Sequence, residues 1–275
     1  LRDVKDGKVI VCSNQWRSLW IDIEVTKDIA PGNYEIELRL KKEGDVVTSA
    51  KQRLTVIGVE LPKQKIMHTE WMHADCLADY YHVDVFSEEH WKILENYFKE
   101  YVKRGCNMML TPLFTSPLDT AVGLERTTTQ LIKVEVVKGE YRFEFSELKR
   151  WIDLCKKCGI EYYEMSHLFS QWGAKYAPKV VAEVDGKEEK IFGWHTQAVG
   201  EYTRFLKAFL PQLIEKLKEW NIDQVTYFHI SDEPREEHLE SYRVAKESLG
   251  NMLDGFHTFD ALSSYEFYRH GLIDK

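Results

Sequence analysis

The clearest chemistry in this chain lies in the adjacent carboxylic acids Asp232 and Glu233, followed by Pro234. Paired carboxyl groups suit cleavage of a glycosidic bond. One, kept protonated by its surroundings, donates to the leaving oxygen, and the second stabilises positive charge at the anomeric carbon. Two neighbours in sequence cannot easily take opposite sides of one sugar ring. They can cooperate when the substrate brings its own nucleophile, the carbonyl oxygen of a 2-acetamido group. Asp then orients and polarises that amide, while Glu serves first as acid and then as base. An Asp-Glu-Pro tripeptide also occurs in ordinary surface turns, so its position matters.

That position is the end of a strand expected over 224–231. With a period of two, Tyr227, His229, Ser231 and Glu233 share one face, and Phe228, Ile230 and Asp232 share the other. The apolar set should face helices and the polar set an interior. Glu233 is then expected to point inward, with Pro234 stopping further pairing. Asp232 is expected to point outward unless the strand twists or bulges there.

The elements that must hold this pair alternate regularly. Phe86-Ser87 and Phe145-Ser146 each open a helix, with Trp91, Leu94 and Phe98 on one stripe and Leu148, Trp151 and Cys155 on another. In both, serine is placed to cap the start, and Gly105 or Gly159 to end the helix in the left-handed conformation. Further helices are expected over 202–220 and 236–249, and strands over 66–70, 107–111, 160–165, 224–231 and 255–260. Helices alternating with strands imply parallel pairing with right-handed crossovers.

Helix-to-strand turns are short. The strand-to-helix connections, 112–145 and 167–197, are long, and each carries its own hairpin. Elaborate loops at the carboxyl ends of strands are where a β/α barrel builds its active site. The expected fold is therefore α/β, a (β/α)8 TIM-type barrel over 63–275. With five strands in place, where a full barrel takes roughly 250 residues, the chain is expected to stop inside the barrel. A doubly wound sheet is the rival, although no Gly-x-Gly-x-x-Gly or phosphate loop favours it. Residues 1–62 read as a small β-sandwich lacking its beginning, from alternation at 20–25, 34–40 and 54–59.

The formal charge of −8 on 275 residues argues against nucleic acid or an anionic membrane surface as partner. Hydrophobic residues at 44% suffice for a core, and no stretch reaches the roughly 20 apolar residues of a membrane helix. Five cysteines without a small-scaffold spacing point to a reduced, cytoplasmic setting. Cys155-x-x-Cys158 ends a helix, where the dipole works against a thiolate, so it reads as packing.

Other candidates follow strands. Trp71, Trp172 and Trp194 are placed to stack on the C–H face of a sugar, and Glu70, His167 and His229 to hydrogen-bond hydroxyls. Asp260 is placed as a rim contact, whereas Asp75, Asp119, Glu125 and Arg126 read as loop-bracing ion pairs. His68, His73, Asp75 and His167 lack a recognised ligand spacing, so neither a metal nor any other cofactor is expected. Gly-x-Ser-x-Gly is absent as well.

The run FHISDEP at 228–234 resembles the catalytic strand of glycoside hydrolase family 123 and its bacterial relatives. So do HTEW at 68–71 with ADC at 74–76, TPLFT at 111–115 with PLDT at 117–120, and HLFSQWGA at 167–174. The resemblance runs from about Trp20 to the last residue. It implies a retaining β-N-acetylgalactosaminidase acting on an oligosaccharide or glycoconjugate by substrate-assisted catalysis, with Asp232 orienting the acetamido group and Glu233 as acid/base. Two alternatives stay open. One is a two-carboxylate retaining glycosidase with its nucleophile on a later strand. The other is a non-catalytic carbohydrate-binding or assembly protein, including self-association through an open barrel edge.

Overall fold

The computed structural model describes residues 7–273. The chain divides into two compact units, Leu1–Lys63 and Gln64–Lys275. In the first, β1 (Gly32–Lys42) and β2 (Asp45–Val56) form an antiparallel hairpin. The connecting Glu43 and Gly44 both have positive φ, 53° and 102°. That geometry matches the right-handed twist of the flanking strands. In place of the expected sandwich, the described residues of this unit hold one two-stranded sheet. Residues 20–25 form no strand, and Ile21, Ile23 and Val25 are half exposed. Alternation is a local signal, whereas a strand also needs a ladder partner, and neither edge of the hairpin supplies one.

The second unit begins with α1 (Ala74–Tyr81), α2 (Glu88–Lys103) and β3 (Met108–Thr111). A hairpin of β4 (Lys133–Val137) and β5 (Glu140–Glu144) leads to α3 (Ser146–Cys158) and β6 (Tyr162–Met165). A second hairpin, β7 (Val180–Val184) and β8 (Lys187–Phe192), leads to α4 (Glu201–Glu219) and β9 (Thr226–Phe228). Then come α5 (Leu239–Ser248), β10 (His257–Thr258) and α6 (Glu266–Arg269). Among the described residues no helix is long and apolar enough to cross a membrane.

β3, β6, β9 and β10 form one parallel sheet in that order. The order follows the chain without the reversal that marks a doubly wound sheet. The fold is mixed α/β, and no closed barrel forms among the described residues. The strand expected at 66–70 is absent too. The Asn107 and Met108 N–H groups donate to the His68 carbonyl at 3.0 and 3.2 Å, and the His68 N–H donates to Asn107 Oδ1 at 2.8 Å. The backbone of the segment also meets side chains, with the Ile66 carbonyl accepting from Asn107 Nδ2 at 3.2 Å and the Glu70 N–H donating to the Tyr101 hydroxyl at 2.8 Å, and no strand ladder forms.

The hairpins in the two long connections join each other. β4 pairs with β7 in parallel, giving a second sheet in the order β5-β4-β7-β8. Helix α4 is packed on it by aromatic side chains. Phe205 lies 5.1 to 5.4 Å, centroid to centroid, from Phe114, Tyr141, Phe143 and Phe192. Burying each such ring contributes about 2 kcal/mol, so α4 anchors both long loops. Elsewhere in the core, Phe98 of α2 meets Trp151 of α3 edge-on at 4.9 Å.

Helix ends follow the expected chemistry with one exception. Ser87 Oγ accepts from the His90 N–H at 3.2 Å, and Gly159 closes α3 at φ 97°. Ser146 does not cap α3; its own N–H and hydroxyl donate to the Glu144 carboxylate at 2.6 and 2.7 Å. A nearby carboxylate is the stronger acceptor and takes the hydrogen bonds of both groups.

Candidate active site

The parallel register carries Glu164 beside Tyr227, on the face opposite the core residues Tyr163, Met165 and Phe228. His229, two residues after Tyr227, shares that face. Glu164 is fully buried and accepts from Thr69 Oγ1, from Trp71 Nε1 at 3.1 Å and from His229 Nε2 at 2.8 Å. The other nitrogen, His229 Nδ1, donates to Asp260 Oδ1 at 3.1 Å. Asp260, two residues past β10, also accepts from the N–H groups of Ile230 (3.0 Å) and Ser231 (3.2 Å) and from the Tyr242 hydroxyl (2.6 Å).

Burial alone would depress the His229 imidazole. Its hydrogen bonds to Asp260 and Glu164, with their charges, prevail and push it up to about 9. Burial pushes the Asp260 carboxyl up as well. All four of its neighbours are donors, however, so the ionised carboxylate is the species that fits. The expected sugar contacts at His229 and Asp260 are therefore not available: their polar atoms are engaged with one another and with the backbone.

Two sides hold the strand end that follows. Asp260 grips the N–H groups of Ile230 and Ser231. The Ser231 hydroxyl donates to the Ser170 carbonyl at 2.8 Å and accepts from the N–H groups of Gly173 (3.3 Å) and Ala174 (3.2 Å). The Trp172 N–H donates to the Asp232 carbonyl at 2.8 Å. Trp172, Gly173 and Ala174 all have positive φ. Ser231 supplies the hydrogen bonds that hold this strained turn.

Strand alternation does not carry through to this pair. Asp232 is buried and Glu233 is exposed, at φ 40°. β9 ends at Phe228, and the period of two holds only where a ladder enforces it. The Asp232 carboxyl is pushed up to about 6, by burial first and then by the charge of Glu233. His229 opposes that rise, whereas Asp119 and Asp260 add to it. Asp232 Oδ1 is buried without a hydrogen-bond partner.

His167 joins this group. It is fully buried, stacks on His229 at 4.2 Å and 21°, and meets Trp71 edge-on at 5.1 Å. Burial, reinforced by the charges of His229 and His73, holds it well below the ordinary histidine range. It is thus a neutral imidazole, and neither ring nitrogen has a partner. Trp172 is 37% exposed next to the pair. Glu70 and Trp194 lie outside the cluster. Exposed Glu70 sits 3.4 Å from His68, and Trp194 Nε1 donates to the Leu124 carbonyl at 2.8 Å.

The residues read as loop braces do pair. Arg126 forks onto Asp75 at 2.8 and 3.1 Å, Glu125 meets Lys179 and Lys190, and Asp119 lies 3.2 Å from His73. Cys155 is buried, and that burial raises its thiol. Ligand atoms of His167, His229 and Asp260 lie within 4.8 Å of one another. They do not suit a cation, because His229 has no lone pair left to give. Sequence reasoning missed Glu164 and Tyr242. An acid between Tyr163 and Met165 in mid-strand was a usable signal for the first. Tyr242 on its helix stripe offered none.

A family model described as the catalytic domain of glycoside hydrolase 123 matches residues 71–275. The chain belongs to glycoside hydrolase family 123. A family 123 glycoside hydrolase from Clostridium perfringens, whose structure was solved to detail glycolipid glycan hydrolysis, has the same fold with a TM-score of 0.67 at 19% identity. The match covers 90% of this chain and 45% of that one, so the chain spans less than half the length of that family 123 structure. No curated protein matches the chain. Within the family 123 segment lie both members of the acidic pair and the Glu164–His229–Asp260 network, all within 71–275.

Proposed function

We propose that this family 123 chain is a glycosidase that removes β-linked N-acetylgalactosamine, or a related 2-acetamido sugar, from an oligosaccharide or glycoconjugate with retention. The observation that carries the reading is the asymmetry of the pair. Asp232 is buried with Oδ1 unpartnered, and Glu233 beside it faces solvent.

A carboxylate held up to about 6 is ionised at neutral pH yet more basic than usual. It is suited to accept the acetamido N–H, whose hydrogen bond strengthens as the amide oxygen closes on the anomeric carbon and positive charge spreads into the new ring. The C1–O bond breaks as Glu233 donates its proton to the leaving oxygen. Glu233, now a carboxylate, then takes a proton from the water that opens the cyclised intermediate. His167, with two unfilled nitrogens, suits a sugar hydroxyl. Trp172 suits stacking on a C–H face. Parallel strands in chain order, with the pair at their carboxyl ends, support a β/α-barrel wall.

The test is hydrolysis of aryl β-N-acetylgalactosaminides and its inhibition by a thiazoline mimic of the cyclised intermediate. Glu233→Gln should lower kcat by roughly 10²- to 10⁴-fold while the thiazoline still binds. Asp232→Asn should weaken thiazoline binding as well. Cleavage of simple galactosides without thiazoline sensitivity would sink the reading in favour of a two-carboxylate enzyme. Sugar binding without turnover would favour a binding protein.

A further inference from the structure

Three parallel strands end on one buried charge. Glu164 from β6, His229 just beyond β9 and Asp260 beyond β10 are each nearly or fully shut from solvent, with side chains 0 to 1% exposed. Both imidazole nitrogens face carboxylates. On the Asp260 side, the four acceptor positions are filled by His229, Ile230, Ser231 and Tyr242. On the Glu164 side, one oxygen accepts from Thr69 and the other from Trp71 and His229. A neutral imidazole would point one lone pair at a carboxylate. Only the doubly protonated ring donates in both directions.

The strongest charged influences on Asp232 are Glu233 beside it, His229 on the same strand end, Asp119 from the loop after β3, and Asp260 from beyond β10. Of these four only His229 is positive. We propose that His229, clamped as an imidazolium between Glu164 and Asp260, is a positioning residue whose fixed positive charge keeps Asp232 an anion ready to accept the acetamido N–H of the sugar. The acetamido part of this statement rests on the function proposed above. Without the cation, a buried carboxyl in the company of three acids takes up a proton. Protonated Asp232 would then offer a donor where the amide N–H needs an acceptor. His229 does this without touching substrate, since both its nitrogens are already engaged. The same charge, stacked 4.2 Å from His167, adds to the burial that keeps that ring neutral.

The network carries two carboxylates and one cation, so charge and shape can be separated by mutation. Titration of the Asp232 carboxyl carbon by 13C NMR, assigned by its loss in Asp232→Asn, needs no turnover. Its midpoint should rise by about one pH unit or more in His229→Gln. It should fall in Glu164→Gln, which removes an anion while keeping the cation. It should return toward wild type in the double variant, where the net charge is restored. In the wild type, both His229 ring nitrogens should give imidazolium 15N shifts at pH 7.5.

If the chain hydrolyses 2-acetamido glycosides, the acid limb of kcat/KM should move with the Asp232 midpoint. A merely structural role would lower kcat in every variant and leave the midpoint in place, which overturns the proposal. A neutral His229 ring at pH 7.5 overturns it too. Should His229→Gln fail to fold, the 15N shifts of the wild-type ring still decide whether it carries the charge. Absence of any turnover of acetamido sugars would refute the functional reading instead, and the 13C titration with the 15N shifts would still decide the role of the charge.

Discussion

Tyr242→Phe isolates the hydrogen bond that ties helix α5 to the charged network. The ring packs edge-on against Phe267 at 5.1 Å, and phenylalanine keeps that packing, so no cavity opens. What is lost is a hydroxyl donating to Asp260 Oδ2 at 2.6 Å in a site where both residues are buried. A hydrogen bond to a charged partner contributes about 1.5–3 kcal/mol, and the stranded acceptor cannot turn to water. The expected loss is about 2 kcal/mol. With a urea dependence of about 2 kcal/mol per molar, the main unfolding midpoint should drop by about 1 M. Tyr97→Phe is the control. Its hydroxyl meets the Tyr81 hydroxyl at 3.1 Å on the surface, and its removal should change stability by less than about 0.5 kcal/mol. If Tyr242→Phe unfolds within about 0.2 M of wild type, the Asp260 carboxylate does not depend on its donors, and the account of the network fails.

Stability should fall as pH rises. His229 titrates near 9 when folded against 6.5 when unfolded, so its contribution is complete below 6.5 and lost on the way up to 9. Between pH 7 and 8.5 the folded state holds about one extra proton, a slope of about 1.4 kcal/mol per pH unit. Flat urea midpoints over that range would contradict it. Asp75→Asn removes the charge opposite Arg126, in a pair whose side chains are only 8% and 11% exposed. An unpaired buried charge costs about 3 kcal/mol, so Tm should drop by about 6 °C or more by calorimetry. Gly173→Ala would place a Cβ 2.7 Å from His238 Cγ at a φ of 104°. It should cost about 1–3 kcal/mol and loosen the turn beside Asp232, seen as faster amide exchange at Trp172. Unchanged exchange would refute that role for the turn.

Much of the second unit was legible in the chain because its signals are local. Stripes at helical spacing located α2 and α3, with Trp91 and Trp151 in the core, α4 falls on the helix expected over 202–220, and both long connections carry the expected hairpins. Expectations failed where a partner had to come from far away. The segments at 20–25 and 66–70 carry strand-like patterns but gain no ladder. Conversely, β4 and β7 pair across a long separation that neither hairpin announces. Ser146 lost its capping role to Glu144, a competition that propensity alone does not resolve.

At the candidate site the division is sharper. From the chain alone it follows that Asp232 and Glu233 stand together past the end of a strand with an apolar face, and motifs in order along the chain point to the family. Packing settles which of the two is buried, that His229 and Asp260 hydrogen-bond each other, and that Glu164 completes their network. Burial and charge state depend on which groups are brought within a few ångströms. Those groups come from separate strands, so the protonation of His229 and the basicity of Asp232 exist only once β6, β9 and β10 lie side by side.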